Sequence, residues 1–325
     1  MGRVTRSGLI CGFLPLACAG ASVPALSESY PDKPVSIIVP VGPGAAPDVI
    51  VRILADRLAQ HWKQQVVIVN RAGGSGMIAA QAAAIAPADG YTLYMPLSSA
   101  FTVLPESKTH GAKAAELFRE LVPIGLIGDQ PMVFAATPAL GVATLPEFIA
   151  LARRRPNEIL YGAARGSVPH MTGELLNIRA GIKLGYVPTL GAAKVVQDIM
   201  NGNLHMIVDS MPGIAGALQS GAVKALAVAS DKRLDNYPDV PLVTDVLSGF
   251  AARGWYALMA PAKTPAHIVH QLGADLRAVL ADSELKTKFE VVGTFPRPST
   301  VEQTMAYIRA EQCLWQPIVR QIGVE

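Results

Sequence analysis

Apolar positions along this chain alternate between two periods. Residues 35–40 (VSIIVP) form a short continuous apolar run of the buried-strand kind. Pro47-Asp48 then opens a segment that places Ile50, Ile53, Leu54 and Leu58 on one helical face. Residues 66–70 (VVIVN) are a second strand-like run, followed from Ser75-Gly76 by an Ala-rich helical stretch over 77–86 that Pro87 stops. Residues 91–96 predict a third strand. Strand, helix, strand, helix, strand at this spacing predicts βαβ units and a parallel sheet.

The middle of the chain repeats the alternation. Strands are predicted over 121–127, 132–136, 159–162, 183–187, 204–208 and 223–229, and helices over 144–155, 168–178, 192–200 and 214–218. Thr144 with Glu147 reads as a capping box. A loop rich in Pro and Asp covers 231–241. After a run at 256–260 the pattern is helical only: 265–280, 284–291, and a long amphipathic helix capped by Ser299 with Glu302 and bent at Pro317. These terminal helices need a sheet to pack on, and the first block is the one available. The prediction is an α/β chain in two lobes, each a mostly parallel sheet flanked by helices. Lobe 1 is 30–128 with 255–325, and lobe 2 is 129–254. Two crossings join them, near 128–130 and 253–256.

Composition narrows the classes. Half of the 325 residues are hydrophobic and 16% are charged, enough apolar material for a sizeable core. Formal net charge is +3, of which Arg3 and Arg6 supply two units. Those two arginines lead an apolar stretch over 7–16 and the small residues Ala17-Cys18-Ala19-Gly20-Ala21, the layout of a secretory signal over 1–21 cleaved after Ala19 or Ala21. The apolar stretch is shorter than the ~18 residues of a membrane span. Without it the protein is almost neutral, which argues against a nucleic-acid partner. Cys11 and Cys18 leave with the signal, so Cys313 remains alone, read here as a buried structural thiol.

Two Gly-rich loops follow the first two strands: Val41, Gly42, Pro43, Gly44 and Ala45 in one, Gly73, Gly74, Ser75, Gly76 and Met77 in the other. Each joins the C-terminal end of a strand to a helix N-terminus, the edge where parallel α/β sheets bind ligands. Glycine lets backbone approach a ligand, and free N–H groups at a helix start attract anions, so the pair reads as a cradle for a carboxylate or phosphate. Nucleotide and hydrolase motifs fail. Gly42-Pro43-Gly44 lacks the third glycine of GxGxxG, no GxxxxGK[ST] occurs, and Gly74-Ser75-Gly76 does not complete GxSxG. His170 and Glu174 lie one helical turn apart with no third metal ligand spaced to join them. No cofactor, metal or catalytic residue is expected.

From Tyr30 onward the chain resembles the tripartite tricarboxylate transporter receptor family, also called the Bug family. The resemblance rests on Tyr30-Pro31-Asp32-Lys33-Pro34-Val35, Val39-Pro40 with Asp48 and Arg52, Asn70-Arg71 with Gly73 and Gly76, and Asp89-Gly90-Tyr91-Thr92-Leu93. It continues through Gly166-Ser167-Val168-Pro169-His170, Val187-Pro188, Gly191, Gly202, Asp209, Pro238-Asp239-Val240-Pro241, Trp255 and Thr264-Pro265. It implies a periplasmic receptor of the type II two-lobed binding-protein fold, monomeric, closing like a flytrap on a small carboxylate and delivering it to the membrane permease subunits of a tripartite transporter. In that family backbone amides of the two Gly-rich loops hold a ligand carboxylate, which makes Asp48 a loop organiser. Ser98, Ala164, Arg165, Gly166, Ser167, Pro188, Thr189 and Asp209 complete the expected site.

The chain departs from the family pattern. Ala45 and Pro47 replace a Gly and a Thr in the first loop, and Met77 stands where Asn is common. In the second lobe Gly162-Ala163-Ala164-Arg165-Gly166 and Pro188-Thr189-Leu190-Gly191 replace more hydroxylated motifs. The expected pocket is accordingly more apolar, pointing to an aromatic or less polar acid, with Arg165 the one charge able to reach a second carboxylate. The competing readings are a ligand-sensing protein for a membrane signalling receptor and an exported α/β hydrolase or lyase. The latter needs a nucleophile–base pair or a metal cluster that the sequence does not contain.

Overall fold

The structure is a computed structural model that describes residues 1–2, 30–189 and 191–323. The expected signal segment, its cleavage sites and Leu190 lie outside the described residues.

Apolar runs of β-rich residues form the strands where both faces can be covered. In chain order, β1 (Val35–Val39), α1 (Ala46–Trp62), β2 (Val66–Asn70), α2 (Met77–Ala84) and β3 (Thr92–Tyr94) build a parallel β2-β1-β3 sheet. Two helices that the periodicity does not announce follow, α3 (Ser99–Thr102) and α4 (Gly111–Arg119). Then comes β4 (Leu121–Ala136), and after it α5 (Leu145–Arg154), β5 (Leu160–Ala163), α6 (Val168–Ala180), β6 (Gly185–Pro188), α7 (Ala192–Met200), β7 (Met206–Ser210), α8 (Met211–Gln219) and β8 (Lys224–Ala229). The chain returns through β9 (Arg253–Pro261) and ends with α9 (Ala266–Leu280), α10 (Ser283–Val291), β10 (Phe295–Pro296) and α11 (Val301–Ile322).

Strand order is β2-β1-β3-β9-β4-β7-β5-β6, with β8 and β10 also paired to β4. The outer strands of each lobe run parallel, and the central ones do not. β9 pairs antiparallel with both β3 and β4, and β4 antiparallel with β7 and β8. The expected mostly parallel sheet is therefore mixed, because the strand that leaves the first lobe and the strand that returns to it must run in opposite directions.

β4 is one strand of 16 residues where the sequence predicts two. The polar pair Asp129-Gln130 looks like a break, yet both side chains are buried and partnered, although Asp129 Oδ1 itself accepts no hydrogen bond. Asp129 accepts from Arg253 and Arg297, and Gln130 Oε1 accepts from the Tyr256 hydroxyl at 3.0 Å. Residues 121–131 pair with β9, and from Met132 on the partners are β7 and β8. Pro131, which has no N–H to donate, sits at the handover. The two-lobed α/β architecture thus hangs on two long central strands. The two-residue β10, too short to leave a pattern, pairs with Gly128 and Asp129 of β4.

Apolar clusters cover both faces of each half of the sheet. In the first lobe, one cluster holds Ile37, Leu54, Leu93, Leu258 and Leu276 and the other Ile38, Tyr94, Phe101 and Trp255. In the second lobe, Phe134, Phe148, Tyr161 and Leu175 lie on one side and Val133, Ile199, Ile207 and Met211 on the other. α11 touches both lobes: Ile308 joins the first-lobe core, whereas Trp315, Ile318 and Val319 join the second.

The start of α11 differs from the sequence reading. Its N-cap is Thr300, whose hydroxyl accepts from Gln303 N while Gln303 Oε1 accepts from Thr300 N. Ser299 is free of that duty because its Oγ accepts the Leu126 N–H of β4 at 2.9 Å. Cys313 is exposed rather than buried, since the inward face of α11 is Thr304, Ile308, Glu311, Trp315, Ile318 and Val319. Trp315→Ala is expected to cost about 3–5 kcal/mol in urea unfolding, and Cys313→Ser less than about 0.5 kcal/mol. A thiol reagent should label Cys313 in the folded protein, and protection until unfolding would contradict this helix register.

Candidate functional site

The two Gly-rich loops are knotted together by one carboxylate. Asp48, in the first turn of α1 and buried, accepts the Gly44 N–H at 2.9 Å, two N–H groups of Arg52 at 2.9 Å each, and Asn70 Nδ2 at 2.8 Å. Asn70 Nδ2 also reaches the Val41 carbonyl at 3.0 Å, so the end of β2 grips the first loop directly. The Arg52 side chain, then burial working against it, then Asn70 and Gly44, leave the Asp48 carboxyl at about 2. Asp48 thus organises the two loops.

Each loop has its own turn. In the first, Ala45 N donates to Gly42 O across Pro43 and Gly44, with Gly44 at φ 82°, as a tight turn with Pro second and Gly third requires. Gly44 N–H is thus spent on Asp48 and Ala45 N–H on Gly42, while Pro43 and Pro47 have none. This loop keeps few donors for a ligand. In the second loop Gly73, Gly74, Ser75 and Gly76 all have positive φ, at 123°, 55°, 54° and 92°. A Cβ at Gly73 would come within 2.9 Å of Ile78 Cδ1. Ser75 alone carries a side chain through this left-handed stretch, at a cost of about 1–3 kcal/mol.

Between the lobes lies a cavity of about 290 Å³, near the lower end for small-ligand sites. From the first lobe Pro40, Gly73, Ser75, Gly76, Leu97, Ser99, Val103, Leu104 and Ser107 line it; from the second, Arg165, Gly166 and Ser167. Among the described residues no acidic side chain lines it. Gly76 is the N-cap of α2 and Ser167 the N-cap of α6, so two helix N-termini from opposite lobes border one space. Their partial positive charges and the Arg165 guanidinium make it a place for an anion.

Behind Ser167 is a second cavity of about 160 Å³ in lobe 2, reached by Ala164 and Asp209. Asp209 Oδ1 accepts Ser210 N at 2.7 Å, and burial outweighs that bond and raises its carboxyl above the ordinary range. An acidic ligand group is disfavoured there.

The structure brings Gly73, Ser75, Gly76, Arg165, Gly166 and Ser167 to the interlobe cavity, with Ala164 and Asp209 adjoining. It does not place Val41, Gly42, Pro43, Gly44 and Ala45 on the lining; Pro40 is there instead. The side chains of Val41 and Met77 pack against first-lobe core clusters. Gly74 lies in the strained turn but off the lining. Ser98 is buried beside a small void with Trp315 and Glu311, and its neighbour Ser99 takes the cleft position one step along α3. Pro188 is exposed, and Thr189 is buried with its hydroxyl on Val187 O at 3.1 Å. Leu97, Ser99, Val103, Leu104 and Ser107 are lining residues that the sequence reading misses. Their signal is topological: they follow β3, the third strand whose C-terminal end meets the same edge. Four serines in the lining also make the cavity less apolar than the loop departures imply.

His170 supports the loop before it. Its Nδ1 accepts the Gly166 N–H at 3.1 Å, and its ring stacks on Tyr186 at 3.9 Å. Burial, then repulsion from Arg165, holds its pKa at about 4, so it is neutral near pH 7. Among the described residues no group of three metal-ligating side chains occurs, and no helix is long and apolar enough to cross a membrane.

Comparison with known proteins matches residues 50–324 to the pattern of the tripartite tricarboxylate transporter family receptor. The chain belongs to that family. Its members are periplasmic solute-binding receptors. Among this receptor's relatives is the protein BugT of Bordetella pertussis, 33% identical over 325 residues and covering 99% of each chain. Its fold is similar to that of Rhodopseudomonas palustris Rpa4515, solved with adipate, with a TM-score of 0.77, 29% identity and coverage of 91% of this chain and 99% of that one. MatC of Rhodopseudomonas palustris, solved with bound malate, superimposes with a TM-score of 0.72 at 26% identity, covering 89% of this receptor and all of MatC (100%).

Asp48→Ala should cost about 1–3 kcal/mol by orphaning the buried donors it serves, and weaken ligand binding as both loops loosen. Because the folded pKa of Asp48 is depressed, its contribution is complete above about pH 4 and fades as pH falls toward about 2. Asp48→Asn should flatten that acid limb of the stability curve. Ser75→Gly should leave the melting temperature unchanged or higher yet weaken binding; a gain in affinity would count against a role for its hydroxyl.

Proposed function

We propose that this receptor captures a small carboxylate with a short apolar body in the cavity between its lobes and hands it to the membrane subunits of a tripartite transporter. The observation that carries this reading is the cavity itself: two helix N-termini from opposite lobes, one guanidinium, four serines and no acid, around apolar walls of Pro40, Leu97, Val103 and Leu104. A carboxylate there gains from helix termini and hydroxyls of both lobes at once, so ligand favours their approach. The adipate and malate of the two solved neighbours support the same ligand class.

In this reading the strained Gly73–Gly76 turn and the Arg165–Ser167 turn are the two jaws. Residues 30–128 with 255–325 and residues 129–254 are the moving bodies, β4 and β9 are the hinge, and the end of α11 straps it. The protein acts as a monomer, exported with loss of residues 1–21. It performs no chemistry on its solute, for nothing in the lining offers a nucleophile–base pair.

A thermal-shift screen tests the function. At a hundred times its dissociation constant a ligand adds ~2.7 kcal/mol of stability. We expect a clear shift with one class among dicarboxylates, tricarboxylates, acidic amino acids and aromatic acids, with the ligand recovered unchanged. Stabilisation by nucleotides alone, or consumption of the ligand, would overturn the reading. A flat screen that persists after unfolding and refolding to strip co-purified solute would overturn it too.

A further inference from the structure

We infer that Arg165 is the specificity-determining residue of the cleft: its guanidinium takes a second acidic group, so the receptor prefers solutes with two carboxylates to those with one. This rests on the carboxylate reading of the same cavity and adds which residue sets the number of acidic groups.

Among the described residues Arg165 is the one charged side chain on the cavity lining. Several other arginines of the framework are paired: Arg52 with Asp48, Arg57 with Asp282, Arg253 and Arg297 with Asp129, and Arg320 with Glu106. Arg165 has no carboxylate within ion-pair distance among the described residues. Its guanidinium carbon instead lies 5.8 Å from the centre of the Tyr186 ring, at the outer reach of a cation–π contact. The guanidinium fork therefore remains open for a planar oxyanion.

Its backbone is held ready. Ser167 N donates to Ala164 O at 3.1 Å with Gly166 at φ 71°, which puts Arg165 at the second position of a tight turn. Gly166 N–H is bound to His170 Nδ1. Tyr186, stacked on that imidazole, donates its hydroxyl to Ala163 O at 3.1 Å. The turn is thus tied at three points to β5, α6 and β6 and has little freedom left to lose on binding.

The rest of the site decides where each acid group goes. The Gly73–Gly76 turn and the α2 N-terminus, across the cleft, suit one carboxylate. The neighbouring lobe-2 cavity holds Asp209 and repels another. Arg165 is the one remaining complement for a second negative charge, on the opposite jaw from the first. A diacid can then bridge the lobes with a charge-assisted bond at each end, whereas a monoacid leaves the guanidinium unused.

Calorimetric titration of the purified protein with succinate, adipate, suberate and terephthalate, each against the monoacid of the same skeleton, tests this. At least one diacid should bind about ten- to a hundredfold tighter than its monoacid, the margin of one charge-assisted pair. Arg165→Gln should remove that margin, weakening the diacid about ten- to a hundredfold and the monoacid by much less. Arg165→Lys should restore only part of it, lacking the fork. Arg165 is exposed, so both variants should fold with unchanged melting temperature. Equal binding of diacid and monoacid by the unaltered protein, equal weakening of both by Arg165→Gln, or no effect of that change would overturn the inference and leave the carboxylate function standing. Failure of every acid, in these titrations and in the wider screen, would overturn both.

Discussion

The antiparallel pairing of β4 with β9 is the constraint on which the rest of the molecule depends. Eleven residues of β4, 121–131, face the whole of β9, and the same strand then continues into the second lobe to pair with β7 and β8. One strand serving two sheets requires that polar residues at the crossing be matched inside the protein. Asp129 is held between Arg253 and Arg297, and Arg253 also reaches Asp231 just beyond β8 with two bonds of 2.6 Å. An unpaired carboxylate at this depth would be costly, so the charges come as a network. Because both crossings lie side by side, the cleft between the lobes is necessarily bordered by the strand ends of both.

What turns that cleft into a site is the way two weakly structured loops are made rigid. The first is stapled by Asp48 and Asn70, residues from the helix after β1 and the end of β2. The second runs through four left-handed residues in a row, a conformation that stays put only because its surroundings over-determine it. On the opposite lobe His170 and Tyr186 perform the same service for the Arg165 turn. His170 and Tyr186 act on the backbone of the loop they support, while the cavity is lined by glycines, serines, apolar side chains and the Arg165 side chain. The geometry of this cleft therefore depends on how its loops are held.

The α11 helix adds a second connection between the lobes. Glu311, buried near the cleft floor, accepts the indole N–H groups of Trp255 and Trp315 at 3.1 Å each, one indole from a crossing strand and the other from the turns that pack on lobe 2. Burial raises its carboxyl above the ordinary range despite both bonds. The lobes are therefore linked by two strands and a helix end.

By itself the sequence determined the α/β class, nearly every strand and helix of useful length, the two Gly-rich loops and the family. These follow from local periods, from glycine and proline at turns, and from motif order, none of which requires knowing what packs where. Asp48 was legible as an organiser and Arg165 as a lone charge for the same reason. Tertiary structure alone decided that residues 121–136 are one strand, since only the distant Arg253, Arg297 and Tyr256 make Asp129 and Gln130 tolerable inside a sheet. It decided that Pro40 and the segment after β3 line the cavity, and that the Gly44 and Ala45 N–H groups of the first loop are taken by Asp48 and by the loop's own turn. It also decided that Ser299 serves β4 and that Cys313 faces solvent, since a helix's inward face is set by what it packs against. Local patterns fix which conformations a segment can adopt. Which partner then consumes each hydrogen-bonding group is a property of contacts made far apart in the chain.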